Sequence, residues 1–538
     1  MRDQYRGHGG RGGGDGLCSD VANVVVARNY TYMCSDPGQE LIKKDIREHG
    51  LTHVVVASCS PRMHEPTFRG VVEEEGINPY CFEMANIREQ CSWVHGDRGW
   101  ATEKAKQLVA SAVAKAALLQ PLEEREVGVT PAALVIGGGI AGIEAALDIA
   151  NAGFQVYLVE KEPTIGGRVA QLNQTFPTLE SCQELLSPRI KAVAEHPNVV
   201  LLTSSEVVGI EGYIGNFQVE VQHATRNTQY ARHFEVGSIV IAIGYDHFDA
   251  RLKPELGYGK YPNVITAPEF EHLSTRPPDH PTIQPRDVVF VQCVGSRDQT
   301  VGNEYCSRVC CMYTAKQAHL VKEKLPQANV TVFYMDVRAF GKGFEEFYDR
   351  VRRDGVMYRR GSVSEIYKRG ERVVVRAEDT LLGEPLEVEA DLVVLATGIV
   401  PRSGAQAIAE LLKLPRSPDG FFAEAHPKLR PVDTVNDGIY LAGCCQGPKD
   451  IPDTIAQAKA AASSAMIPLS RGKVKVESVT GVVEVEFCAG CGICESLCTY
   501  GALTRDARRG IMTVNKVLCK GCGAVSYTHL TLPTILRV

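Results

Sequence analysis

Long hydrophobic runs are missing from this 538-residue chain. The longest, such as Ala132–Ile136 and Leu392–Ala396, are strand-sized and far short of the ~20 residues a membrane helix needs. The N-terminus has no apolar core of the signal-peptide type, which predicts a cytoplasmic protein with no membrane span. Charge of neither sign dominates. A net charge of -6, from 58 basic and 64 acidic residues spread along the chain, leaves no single-sign field and argues against nucleic-acid binding. The length exceeds what one ordinary core supports, so about two to four domains are expected.

Cysteine, by contrast, is abundant, with 18 residues. A disulfide framework belongs to short chains carrying a secretion signal, and most of these cysteines fall into three tight groups at ligand-like spacing. Metal clusters explain them better.

The pattern divides into segments. Residues 1–29 begin with a Gly- and Arg-rich stretch without apolar periodicity and read as a disordered or foreign leader. Residues 30–128 form an α/β domain containing the strand His53–Ala57 and the Ala-rich helical stretch Ala101–Leu119. Residues 129–473 alternate strands, helices and turns as in a doubly wound α/β sheet. Residues 474–523 carry ferredoxin-like cysteines, and 524–538 read as a tail foreign to the fold. No internal repeat is visible beyond the two cysteine motifs of that last domain.

Gly137-x-Gly139-x-x-Gly142 follows a strand and opens an Ala-rich helix, the context a dinucleotide fingerprint requires. The first glycine makes the turn, the second admits the pyrophosphate, and the third lets helix and strand pack. Phosphates then meet the amides and dipole of the helix N-terminus. Glu160, 18 residues after Gly142 and followed by Lys161, stands where a carboxylate reaches the ribose hydroxyls. Gly166-Gly167-Arg168 resembles the FAD-binding domains of flavoproteins with two dinucleotide domains. So do Ala396-Thr397-Gly398 and Gly438–Gly443, the latter like the strand that closes over the ribityl chain. Cys444 occupies the position usually held by Asp. FAD is therefore the expected nucleotide. A second domain for NAD(P)H has its best-placed strand at Asp287–Val291, but Gln292–Arg297 lacks GxGxxG spacing, which counts against direct reduction by a nicotinamide.

Cys488-x-x-Cys491-x-x-Cys494-x-x-x-Cys498 has the spacing of a loop that wraps a [4Fe-4S] cubane. Cys519-x-x-Cys522-Gly523 starts a second copy without its remaining cysteines. Cys293, Cys306, Cys310 and Cys311 form a third group. Here Cys306 and Cys310 are expected on one face of a single helical stretch, with Cys293 arriving from a strand end. The group fits another cluster, and buried, redox-silent thiols remain the alternative. Cys34, Cys59, Cys81 and Cys91 are scattered and read as core thiols.

Several long strings make the chain resemble the A-subunit of heterodisulfide reductase, its FAD and iron–sulfur component. They are MCSDPGQEL at 33–41, ASCSPRMHEPTF at 57–68, EYCSRVCC at 304–311 and LAGCCQGPKDIPD at 441–453. The resemblance implies FAD, several [4Fe-4S] clusters and partners: other heterodisulfide reductase-like subunits, a hydrogenase or formate dehydrogenase module, and ferredoxin. It implies a flavin that splits an electron pair between ferredoxin and a disulfide-reducing partner, and no catalytic nucleophile in this chain. The double cysteine at 444–445 is then a family trait. Lys449, just beyond it, has the charge to favour an anionic flavin. The chain departs from the family in its incomplete ferredoxin end. Gly215–Ala242 runs on where relatives carry an inserted ferredoxin domain, and the stretch 178–187 holds the single cysteine Cys182. Two other readings stay open: a stand-alone NAD(P)H-dependent disulfide oxidoreductase and a non-catalytic assembly role.

Overall fold

The computed structural model describes residues 23–223, 231–274 and 285–527. Most of the leader and most of the tail, with Cys18, lie outside them. The chain divides into two compact units, Met1–Arg125 and Glu126–Val538.

The first unit alternates helices and strands. Helix α1 (Asp36–His49) starts with a proline in its first turn and ends at Gly50, whose left-handed φ of 60° turns its amide back onto the Ile46 carbonyl. Strand β1 (Val54–Ser58), helix α2 (Pro61–Glu74), strand β2 (Phe82–Asn86) and helix α3 (Arg98–Ala116) follow. The strands pair in parallel, Val54 opposite Phe82. Ile42 and Ile46, one helical turn apart, join Val54, Val56, Phe68 and Phe82 in one core. Cys59, Cys81 and Cys91 are buried and Cys34 is exposed.

The second unit contains the same architecture twice. Its first sheet runs in the order β5-β4-β3-β6-β14, with β3 Ala132–Ile136, β4 Gln155–Val159, β5 Val199–Leu202, β6 Ser238–Ile241 and β14 Ile439–Leu441. Every neighbouring pair is parallel. β3 is buried at all five positions, as a strand covered on both faces must be, which is why its sequence is uninterruptedly apolar. Helix α4 (Ile140–Asn151) packs its alanines on one face of the sheet. An antiparallel three-stranded meander (205–213, 216–223, 231–236) precedes β6.

The second sheet has the order β11-β10-β9-β12-β8, with β8 Val264–Thr266, β9 Asp287–Val294, β10 Asn329–Tyr334, β11 Val356–Arg360 and β12 Leu392–Thr397. It too is wholly parallel and has an antiparallel meander (363–369, 372–379, 384–390) before its fourth strand. The strand expected at Asp287–Val291 is thus the central first strand of a second dinucleotide-type fold. This repetition lies in the backbone and leaves no repeat in the residues. Between the two sheets, β7 (Tyr245–His247) pairs antiparallel with β13 (Ile399–Pro401). Helices α5 (Cys182–Glu195), α6 (Ala267–Ser274), α7 (Cys310–Lys324) and α8 (Ile451–Arg471) complete the layers used below.

Candidate functional site

The turn Gly137–Gly139 joins β3 to α4, with Gly139 at the N-cap. Sheet and helix meet so closely that a Cβ on Gly142 would lie 1.8 Å from the Gly137 carbonyl oxygen. Gly142→Ala is therefore expected to purify with little flavin and a lower melting temperature than the native chain. Native flavin content would show that the turn has room to adjust. The loop Gly166–Arg168 closes on the same turn: the Gly166 amide donates to the Gly138 carbonyl (2.7 Å). A Cβ on Gly167 would meet the Gly139 Cα at 2.9 Å, so backbone lies on backbone. Gly139 is otherwise open, with no other atom near its absent Cβ.

Glu160 caps β4 and faces this turn. One carboxylate oxygen accepts from the Gly138 amide (2.6 Å) and the other from the Glu162 amide (2.8 Å). Lys161 points away; it is 68% exposed and paired with Glu206. Arg168 is bound to Asp246 (2.8 Å), which also takes Arg402 (2.8 Å) and the Ser403 amide. The Asp246 carboxyl is held below its usual range: burial opposes its charge, and the Ser403 amide with the two guanidinium groups more than compensates. Gly443 follows β14, donates its amide to Gln457 Oε1 (2.8 Å) and abuts Ala141 in the first turn of α4. Gly137, Gly139, Gly142, Glu160, Gly167 and Gly443 thus converge, and Arg168 borders them. Gly398 belongs elsewhere, at the end of β12, where its amide meets the Val294 carbonyl (2.8 Å).

The second fold has the single glycine Gly295 after its central strand, in place of a GxGxxG turn. β9 ends in a bulge with Cys293 in the left-handed region, φ 61°, and a stitched loop leads to α7. Ser296 Oγ receives the Ser307 amide (2.9 Å), and Ser307 Oγ receives the Ile399 amide (2.9 Å). The helix begins only at Cys310. Cys306 therefore lies in the loop, not on a helical face with Cys310, because Arg308 has φ 62° and breaks any helix there. The four thiols still come together, through the turn of the loop. Burial pushes the Cys293 thiol up to about 12, with Cys311 and Cys306 adding to the rise. Cys310 is raised by burial and then by Cys293 and Cys311. Cys293, Cys310 and Cys311, all raised first by burial, would need a cation among them to become thiolates. An iron cluster fits that donor set.

Tyr245, on β7, lies between the two halves. Burial raises its hydroxyl, followed by the charges of Cys444 on one side and of Cys310 among its other neighbours. Tyr313, one turn along α7 from Cys310, donates to the Thr397 carbonyl (2.8 Å). His247 is kept neutral at ordinary pH, its value lowered to about 4 by burial and then by Arg168. Cys444 is buried, its thiol donating to the Lys449 carbonyl (3.4 Å). Lys449 donates to Gln446 Oε1 (2.5 Å) and to the Gly447 carbonyl (3.2 Å), and burial lowers its pKa against the pull of Cys444. No spacing rule marks Tyr245, His247, Tyr313 or Asp246, which are ordinary residues until the chain folds.

In the C-terminal segment, backbone amides aim at three sulfurs. Met512 donates to Cys488 Sγ, Ala502 to Cys498 Sγ and Gly481 to Cys519 Sγ, each at 3.3 Å. Burial, followed by the nearness of Cys491 and Cys488, raises the Cys494 thiol, and Cys522 is exposed. A Cβ on Gly490 would stand 1.8 Å from the Gly510 carbonyl oxygen, so only glycine lets the hairpin Leu503–Val514 close over the first cysteine loop.

Residues 131–465 match the pyridine nucleotide-disulphide oxidoreductase family, which spans both dinucleotide-type folds. Over 90% of this chain and 86% of its own length, an iron-sulfur A-subunit of the CoB–CoM heterodisulfide reductase of Methanopyrus kandleri is 48% identical. The A-subunit of the H(2):CoB-CoM heterodisulfide,ferredoxin reductase of Methanothermobacter marburgensis is 46% identical with the same coverage. The chain belongs to the heterodisulfide reductase A-subunit family. The corresponding A-subunit of the H(2)/formate:CoB-CoM heterodisulfide,ferredoxin reductase of Methanococcus maripaludis is a further relative, 43% identical over 92% of this chain and 88% of its own. As a member of the heterodisulfide reductase A-subunit family the protein is an oxidoreductase built on the FAD-binding, doubly wound fold. The glycine turn and the cysteine loop occupy equivalent places in the two halves of that fold. Among the described residues no helix is long and apolar enough to cross a membrane.

Proposed function

We propose that this chain is a cytoplasmic electron-transfer subunit that holds FAD on the Gly137–Gly142 turn and [4Fe-4S] clusters on its grouped cysteines. One observation carries the reading. In the second dinucleotide-type fold, the loop after the first strand presents Cys293, Cys306, Cys310 and Cys311, in the place where a nicotinamide domain would offer its glycines. A cluster held by these cysteines would supply electrons to the flavin in place of a nicotinamide hydride. Tyr245 connects the two places, with the thiols of both Cys444 and Cys310 acting on it.

FAD supplies the passage between two-electron and one-electron chemistry. This chain's residues bind it, seal it from water and set its surroundings. Glu160, already fixed by two backbone amides, would hold the ribose, and the open N-terminus of α4 would hold the phosphates. Lys449 provides the nearby positive charge and Gly443 the close approach. Cys488, Cys491, Cys494, Cys498, Cys519 and Cys522 extend the relay. The names of the relatives support partners of three kinds: a hydrogenase or formate dehydrogenase module, ferredoxin, and the other heterodisulfide reductase subunits. In that setting a flavin held on these residues would supply the division of electron pairs between ferredoxin and a disulfide branch.

Anaerobic cofactor analysis tests the proposal. One FAD per chain, roughly four or more irons with matching sulfide, and cubane EPR signals after dithionite are expected. FAD without iron, together with rapid reduction by NADPH in stopped flow, would replace it with a nicotinamide-dependent disulfide oxidoreductase.

A further inference from the structure

Arg308 touches both halves of the site. It holds the left-handed conformation, φ 62°, which a non-glycine residue keeps only where its surroundings impose it. Its amide donates to Cys306 Sγ (3.3 Å). Its guanidinium reaches the segment beyond Cys445: Nη1 donates to the Pro448 carbonyl (3.3 Å), and Nη2 pairs with Asp453 Oδ2 (2.8 Å). The ring of Phe340 lies 4.8 Å below the guanidinium carbon. Asp453 stands in the first turn of α8, fixed through its amide to the N-cap Asp450 (2.8 Å). Between Cys444 and Asp453 lies Lys449. One side chain therefore joins the cysteine loop to the loop that closes the flavin site.

We propose that Arg308 is a positioning residue that holds the Cys306 sulfur under a backbone hydrogen bond by anchoring the cysteine loop to Pro448 and Asp453. It thereby sets the reduction potential of the cluster on Cys293, Cys306, Cys310 and Cys311. The inference rests on the reading of that thiol group as a cluster site. Hydrogen bonds to cluster sulfurs are one of the protein's levers on potential. An amide withdrawn from the sulfur leaves the more negative, reduced cluster less stabilised. Arginine suits the task because its planar fork serves two acceptors at once, which a lysine ammonium on a flexible stem does not.

The experiment is an EPR-monitored redox titration of the full chain in four forms: native, Arg308→Gln, Asp453→Asn and the double variant. Asp453→Asn removes a negative charge, and by Coulomb's law alone that would raise the cluster's midpoint potential. The anchoring role requires the reverse. Each single substitution lowers the potential, and the double variant lowers it no further than either one, the signature of two groups acting through one contact. A rise or no change in Asp453→Asn, or shifts that add in the double variant, would overturn the proposal. A native chain with no cluster on these thiols would instead fail the cluster reading itself, and this inference with it.

Discussion

Cys310→Ser is expected to strip the cluster from the loop of the second fold, lowering iron by about four atoms per chain while one FAD per chain remains. The two sites separate this way because they stand on different sheets. The glycine turn, Glu160 and Gly443 belong to the first, and Cys310 starts the helix after the first strand of the second. Cys310 is also the most deeply set of the group, its thiol driven up by burial and by Cys293 and Cys311. Serine in that place offers a poor ligand for iron, which prefers soft thiolates. Electrons supplied from the donor side should then no longer reach the flavin. Unchanged iron and an unchanged EPR spectrum would mean that these four cysteines are ordinary core thiols.

Lys316→Met should strongly destabilise the second unit without touching either cofactor site. Lys316 and Glu271 are 2% and 3% exposed and 2.5 Å apart. The ammonium also donates to the Gln174 carbonyl (3.0 Å), and the Glu271 carboxylate also accepts from Gln317 Nε2 (2.9 Å) and the Asn173 amide (3.2 Å). Taking away one partner leaves a carboxylate buried with its charge uncompensated, a loss of about 3–5 kcal/mol. The melting temperature of the variant should fall by several degrees, and Lys316→Met with Glu271→Met should recover most of the loss, since an apolar pair avoids the desolvation. A single variant as stable as the native chain would refute this. The pair also bears on function. Gln174 lies shortly beyond the Gly166–Arg168 loop, and Lys316 lies on the helix that Cys310 and Cys311 begin, so loosening it should move the two sites relative to each other.

Much of this protein is legible from local patterns. GxGxxG between a buried strand and an alanine-rich helix is readable locally, because Gly142 packs on the Gly137 carbonyl within the same turn, although Gly137 also lies against Ala242 and Gly139 against Gly167. The Cys488–Cys498 run is equally local, since its spacing puts three thiols on one short loop and the fourth where a neighbouring motif would share it. The strings shared with the A-subunit of heterodisulfide reductase carry the family. These signals survive in sequence because each depends on neighbours in the chain.

What the tertiary structure alone decided has the opposite character. The second dinucleotide-type fold repeats the spatial strand order of the first, with its edge strand β8 drawn from before the central strand where β14 comes from after it. Yet parallel sheets record their order in pairings between distant segments, not in a residue repeat. Spacing alone puts Cys306 on a helix with Cys310; the left-handed Arg308 puts it in a loop, and the thiols meet by the path of the backbone instead. Lys161 adjoins the nucleotide acid in sequence and points to solvent in the fold, because the side chain after a strand end follows the turn and not the motif. Tyr245, Asp246 and the Lys316–Glu271 pair carry no pattern at all, and the string that contains Arg308 says nothing of its contacts. Their partners lie dozens to more than a hundred residues away, and a contact of that range exists only once folding has closed the chain between its ends.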